Sequence, residues 1–288
     1  MKILVTGVKG QLGYDCIKEL KRRGYDDILG IDREELDITD EKAVKEFILN
    51  YKPDVVMHNA AWTAVDKAEE FKDACYAVNV LGTKYIAEAC KEVDAKMIYI
   101  STDYVFDGNG EKFFEVNDKK NGLSTYGKTK SIGEDYVTSI LNKYFIIRIS
   151  WVFGINGNNF IKTMIKLADL GKEELNVVCD QIGSPTYTFD LAKLMCDMMV
   201  TDKYGVYHAT NEGICSWAEL ASYIFELINK PIKVNFVTTE EYMSLVPNQA
   251  KRPLNSRLSK ESLELNKFNK LPHWKDAVKR FVREELNR

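Results

Sequence analysis

Tyr126 and Lys130 stand four residues apart in a stretch of helical character, and residues at that spacing share one face of a helix. A phenol and an ammonium that converge on one point suit proton transfer to a carbonyl. A free tyrosine has a pKa near ~10, so the phenolate formed and refilled in each turnover needs a nearby cation, which Lys130 supplies. Upstream, Ser101, Thr102 and Asp103 follow Met97-Ile98-Tyr99-Ile100, an apolar run that reads as a buried strand. Thr102 can hold the same carbonyl oxygen and fix the geometry in which a hydride reaches the carbon. Alone, Tyr-x-x-x-Lys is weak, because both residue types are frequent on solvated helices. Its weight comes from what precedes it.

The elements that must position these residues are legible in order. Residues 2 to 6 form a short apolar strand that runs into Gly7-Val8-Lys9-Gly10-Gln11-Leu12-Gly13, followed by a helical pattern of Leu12, Cys16, Ile17 and Leu20. Strand, glycine loop and helix together suit a pyrophosphate cradle, with the helix N-terminus holding the anion, although glycine turns also join strands to helices for geometric reasons alone. A second strand, residues 28 to 31, ends at Asp32, where an acidic side chain bonds an adenosine ribose. Its carboxylate favours NADH, whereas Arg33 beside it accommodates the 2′-phosphate of NADPH; the sequence leaves both cofactors open. Asp37 and Ile38 suit adenine contacts, and Asp37 equally suits a solvated turn. Asp40 is expected to cap the next helix, which carries Ala43, Val44, Phe47 and Ile48.

A third strand, residues 54 to 58, leads to Asn59, Ala60 and Ala61, small residues that let backbone lie flat against a cofactor or simply pack. His58 reads as a core histidine. Asn79, within a long helical pattern from Ala74 to Val93, fits either a cleft or a solvated surface. A fifth strand, residues 144 to 150, stops at Trp151, which is either a site residue or core. Strand and helix thus repeat five times in about 150 residues, the pattern of an α/β fold with a Rossmann-type doubly wound parallel sheet. Residues 1–152, with 185–203 returning to them, are expected to form the dinucleotide-binding domain. Residues 153–184 and 204–288, including a strand at Val206 to Ala209 and a loop with Pro247, Lys251, Arg252 and Pro253, are expected to form a smaller α/β substrate lobe. Residues 107 to 124 read as a surface excursion without an assigned role.

Composition narrows the classes. Of 288 residues, 45% are apolar and 29% charged, which is globular and not disordered. A net charge of -3 without a basic run speaks against nucleic acid, and no apolar run approaches the length of a membrane span. The six cysteines lack paired spacing and the three histidines are far apart, so neither a disulfide frame nor a metal site is expected, and the chain is expected in the cytoplasm.

Gly7-x-x-Gly10-x-x-Gly13 and Tyr126-x-x-x-Lys130 resemble the extended short-chain dehydrogenase/reductase family. Gly10-Gln-Leu-Gly13, Asn59-Ala-Ala, Thr63-Ala-Val-Asp-Lys-Ala-Glu69, Ser101-Thr-Asp-Tyr-Val-Phe106, Arg148-Ile-Ser-Trp-Val-Phe153, Gly157-Asn-Asn-Phe160, Asp180-Gln-Ile-Gly183 and Arg252-Pro-Leu-Asn-Ser-Arg257 are similar to the dTDP-4-dehydrorhamnose reductase family. That resemblance implies reduction of the C4 ketone of a dTDP-sugar by NADPH or NADH, with Thr102, Tyr126 and Lys130 as the catalytic group. It implies cofactor contacts from Gly7, Gly10, Gln11, Leu12, Gly13, Asp32, Arg33, Asp37, Ile38, Ala60, Ala61 and Thr63, together with Tyr126 and Lys130. Val65, Tyr104 and Trp151 would contact the sugar, and Asn159, Arg252 and Arg257 the nucleotide diphosphate. A homodimer is compatible with it. Members that bind a dimer-bridging magnesium use glutamates where this chain has Asp15 and Asp190, so no metal is expected. Family dehydratases carry an acid where Tyr104 follows Thr102-Asp103, which favours a reductase over a dehydratase. An epimerase is excluded less firmly. A non-catalytic subunit, similar to the methionine adenosyltransferase accessory subunit, is the alternative from another class.

Overall fold

The computed structural model describes residues 1–246 and 249–288; Pro247 of the expected loop lies outside the described residues. Five strands alternate with helices: β1 (Ile3–Thr6), α1 (Gln11–Arg22), β2 (Ile28–Ile31), α2 (Glu41–Tyr51) and β3 (Val55–His58) come first. After them come α3 (Val65–Glu70), α4 (Lys72–Tyr76), a π-helical turn at Ala77–Gly82, α5 (Thr83–Glu92), β4 (Lys96–Thr102), α6 (Thr125–Ile140) and β5 (Tyr144–Ile149). The strands form one parallel sheet in the order β2-β1-β3-β4-β5, and Gly205–His208 adds a sixth strand beside β5. The strand order reverses between β1 and β3, and the crevice at that switch point is where such sheets take ligands. This is the expected doubly wound α/β fold.

The sixth strand corrects one expectation. Residues 206 to 208, read as part of the smaller lobe, pair in register with Ile146, Ile147 and Arg148 of the main sheet. Sequence proximity to the lobe was misleading, because Val206 and Tyr207 pack on the sheet's own cores. Helix α8 (Thr188–Met199) packs beside α1 on the same sheet face, with Cys16 next to Met195. The opposite face buries Leu4, Val44, Ile48, Val56, Ile86 and Tyr99. Both faces are covered, which is why the strands read as unbroken apolar runs.

A second core gathers Phe153, Ile161, Tyr187, Ala218, Phe225, Trp274 and Phe281. It is built on α7 (Phe160–Asp169), α9 (Trp217–Leu227) and short strand pairs such as Glu174–Val178 with Lys233–Val237. The excursion at 107–124 is more than surface. Phe114 is buried, stacks on Phe106 at 4.4 Å between ring centroids and bridges to Leu258, sewing the excursion to the C-terminal segment.

Five of the six unpaired cysteines are buried, and among the described residues no helix is long and apolar enough to cross a membrane. Asp15 accepts a hydrogen bond from Thr188, and burial pushes its carboxyl up to about 6. Asp190 is gripped by the Arg280 fork, at 3.0 and 2.6 Å, and by Asn211. Both carboxylates are engaged by side chains of their own chain.

Candidate active site

Three features converge at the carboxyl edge of the sheet: the loop after β1, the end of β4 and the first turns of α6. In the loop, Gly7 lies at φ +70° and Gly10 closes the turn by donating to the Gly7 carbonyl at 3.0 Å. A Cβ on Gly13 would sit 2.2 Å from that carbonyl oxygen, so only glycine lets α1 pack this close. The N-terminus of α1 receives no side-chain cap and no acidic residue in its first turn, leaving its N–H groups for an anion. Gln11 Oε1 accepts from Asn159, and Leu12 is buried in the core. Thr6 Oγ1 accepts from the Asn59 and Ala60 amides and bonds the His58 ring, fixing β1 to the β3 loop. Burial holds His58 down at about 3, as a neutral core group.

Asp32 accepts from the Lys9 and Arg33 amides, one on each oxygen, while Arg33 is open to solvent. Asp37 closes its own turn by accepting from Thr39 N and Oγ1, and Ile38 is buried under Gly82. Ala60 and Ala61 remain half-buried at the β3 edge, and Thr63 is exposed. Asn79 is buried: it accepts from Trp62 N and donates to Trp62 O and Thr129, clamping the 60–64 loop onto α6.

Helix α6 begins under two constraints. Ser124 caps it by accepting from Gly127 N, and the Glu69 carboxylate accepts from Thr125 N and Oγ1 at 2.7 and 2.8 Å, a negative group at the positive end of the helix. A Cβ on Gly127 would lie 2.1 Å from Tyr104 O, so this glycine lets the helix press onto the turn after β4. Tyr126 is thereby brought against Thr102 and edge-on to Tyr104, with centroids 5.5 Å apart. Burial pushes both phenols well above the ordinary tyrosine value; for Tyr126 the Thr102 hydroxyl works in the opposite direction.

Lys130 is almost wholly buried, its Nζ 3.9 Å from the centre of the Tyr99 ring. Burial pulls it down to about 7, against the pull of Glu134. Thr102 Oγ1 donates to Asp103 and accepts from Tyr104 N, while Ser256 donates to the other Asp103 oxygen. Asp103 is enclosed, and burial raises it to about 6.

The opposite wall comes from the second core. Trp151 holds φ +51°, a costly conformation for a bulky residue, and stacks on Trp217 at 3.9 Å and 18°. Trp217 Nε1 donates to Gln181, which donates to Thr239. Arg252 forks onto Asp66 at 3.1 and 2.9 Å, joining the C-terminal segment to α3, whose first residue is the half-buried Val65. Arg257 donates to Asn255. Asn159 caps α7 and donates to Gln11 and Gly154, so both ends of its amide are used within the protein.

Glu69, Asp103 and Trp217 went unassigned in sequence. The first two lie inside Thr63–Glu69 and Ser101–Phe106, the segments similar to the reductase family; Trp217 had no local signal.

A family model described as the RmlD substrate binding domain matches residues 1–287. A dTDP-4-dehydrorhamnose reductase of Aggregatibacter actinomycetemcomitans is 39% identical, covering 96% of this chain and 97% of that protein. The chain belongs to the dTDP-4-dehydrorhamnose reductase family. The spore coat polysaccharide biosynthesis protein SpsK of Bacillus subtilis is also 39% identical, over 98% of this chain and 97% of that one. Among solved structures, a dTDP-4-dehydrorhamnose reductase of Bacillus anthracis in complex with NADP is 41% identical, with a TM-score of 0.92, covering 98% and 99% of the two chains. Agreement over the whole length, both cores included, makes membership of this reductase family a property of the entire chain.

Proposed function

We propose that this protein reduces the C4 ketone of dTDP-4-dehydro-L-rhamnose to the alcohol of dTDP-L-rhamnose, taking the hydride from NADPH or NADH. The observation that carries the reading is Tyr126 set against Thr102, with the enclosed Lys130 one turn on along the same helix, beside a glycine loop whose helix N-terminus is uncapped. A dinucleotide fits there: the Gly7–Gly13 cradle and α1 would hold the pyrophosphate, Asp32 or Arg33 the adenosine ribose, and the Lys130 ammonium the second ribose. When bound, the cofactor supplies the hydride.

The chain's own residues supply the rest. Thr102 holds the ketone oxygen, and Tyr126 Oη donates its proton to that oxygen as the carbon is reduced. The phenolate left behind is stabilised by the Lys130 cation and reprotonated from solvent, which balances the step. Val65, Tyr104 and Trp151 shape the sugar pocket, and Arg252 and Arg257 face the diphosphate, whose oxygens match a planar guanidinium. Tyr104 cannot replace the acid of a dehydratase, because burial raises its phenol further. The reaction belongs to the cytoplasm and provides activated rhamnose for polysaccharide synthesis.

Consumption of NADPH or NADH with dTDP-4-dehydro-L-rhamnose by the purified protein tests the assignment, and running both cofactors settles the roles of Asp32 and Arg33. Tyr126→Phe is expected to keep cofactor affinity while kcat falls by about 10²–10⁴-fold. A wild-type protein inert with both cofactors would falsify the reading.

A further inference from the structure

Directly after Lys130 on the same helix face lies Glu134, one turn on, and it is enclosed. Arg148, from β5, grips its carboxylate with two parallel bonds, Nε to Oε1 and Nη2 to Oε2, both 2.8 Å. The two side chains are only 3% and 4% exposed. Arg148 Nη1 also donates to Val116 O of the excursion at 2.9 Å and reaches His208 Nε2 at 3.3 Å. His208 Nδ1 in turn lies 3.1 Å from Ser259 O. A neutral His208 donates from Nδ1 and accepts at Nε2, in keeping with a ring that burial holds down at about 3. Lys120 Nζ adds a second cation 3.3 Å from Glu134. The reduction scheme above uses none of these groups.

We propose that the enclosed Glu134–Arg148 pair is a positioning device of this site. It locks the helix bearing Tyr126 and Lys130 to the strand that leads into Trp151, and sets a carboxylate one turn below the Lys130 ammonium. The inference rests on Tyr126 and Lys130 being the reacting pair.

The placement matters because an enclosed ion pair is weak evidence for stability, since desolvation offsets its attraction. Its geometric consequence is specific. Arg148 is three residues before Trp151 and Glu134 eight after Tyr126, so one fork fixes the sugar wall relative to the proton donor. The groups facing Lys130 are Tyr99 from β4, His58 from β3, Cys75 from α4 and, on its own helix, Glu134, while Tyr126 lies one turn before it. Of these, Glu134 is the carboxylate that favours the cation. Arg148 and Lys120 keep Glu134 ionised, holding it below the usual carboxylate range against its burial. Lys130 is cationic below its own pKa and loses its charge as pH rises through it, so removing Glu134 moves that loss to lower pH.

The test is the titration of Lys130 in protein carrying 13C at the lysine Cε, the resonance being assigned with Lys130→Arg. Glu134→Gln is expected to lower the midpoint by about one pH unit, and the alkaline limb of kcat to move with it. Glu134→Asp, which keeps a carboxylate, should recover most of the shift. Because Glu134→Gln strands Arg148 as a buried unpaired charge, Glu134→Gln with Arg148→Met removes both charges together. That double variant is expected to fold and keep the lowered midpoint. An unchanged midpoint in the folded variants, or failure of both to fold, makes the pair scaffolding and overturns the proposal. The titration needs no turnover, so it decides the pair even if the wild-type protein proves inert toward the sugar nucleotide.

Discussion

Thr102 has two local duties besides the one proposed for it in reduction: it donates to Asp103 at 3.1 Å and accepts from Tyr104 N at 3.3 Å. Thr102→Val preserves shape and removes the hydroxyl. If the hydroxyl holds the developing alkoxide, kcat should fall by about 10²–10³-fold with cofactor affinity unchanged, while the lost bonds lower stability by only about 1 kcal/mol. Steady-state rates and a thermal melt on one preparation separate the two effects; a kcat within threefold of wild type would leave Thr102 as a turn residue only. At this scale the proposed trio could be singled out in the sequence because each member has distinctive chemistry at a strand end or on one helix face. The residues that aim them were not. Glu69 acts from 56 positions before Thr125, and Ser256 meets Asp103 from 153 positions away, separations that no local pattern encodes.

At the scale of elements, the glycine loop and α1 are held by close backbone approach rather than by side chains. Gly13→Ala would drive a methyl into the Gly7 carbonyl, and backbone on both sides leaves nothing flexible to yield. The expected cost is about 1–3 kcal/mol of folding stability. Since the displaced loop is also the proposed pyrophosphate cradle, the cofactor Kd should rise tenfold or more, about 1.4 kcal/mol. Differential scanning calorimetry with and without NADPH reads both, and a variant that binds NADPH as the wild type does would separate the loop from the cofactor. Strand and helix bounds here followed closely from apolar runs and caps, as with Asp40 accepting from Ala43 N. The sheet joined by the sixth strand escaped, although the strand itself did not, because the order of strands in space is set by which cores their faces join, and Gly205–His208 shares residues with both sheet cores.

Over the whole molecule, the proposed sugar site draws on segments near residues 66, 104 and 252 that only the fold brings together, and an Asp66–Arg252 ion pair joins the first to the last. The Asp66 side chain is 46% exposed and that of Arg252 28%, so solvent screens the pair and its share of stability is about 0–1 kcal/mol. An arginine kept only for stability would therefore be dispensable. One that meets a diphosphate would not, because charge-assisted bonds to phosphate oxygens are about twice as strong as neutral ones. Arg252→Met is accordingly expected to leave the melting transition nearly unchanged while the KM for the sugar nucleotide rises at least about tenfold, a loss of 1.4 kcal/mol. That difference should shrink as salt is raised, since screening weakens the wild-type contact. Asp66→Asn frees the guanidinium of its competing carboxylate, so its KM should stay level or fall. If Arg252→Met and Asp66→Asn instead raise KM equally and lower stability together, the pair is a strut between α3 and the C-terminal segment, and the diphosphate is held by other groups.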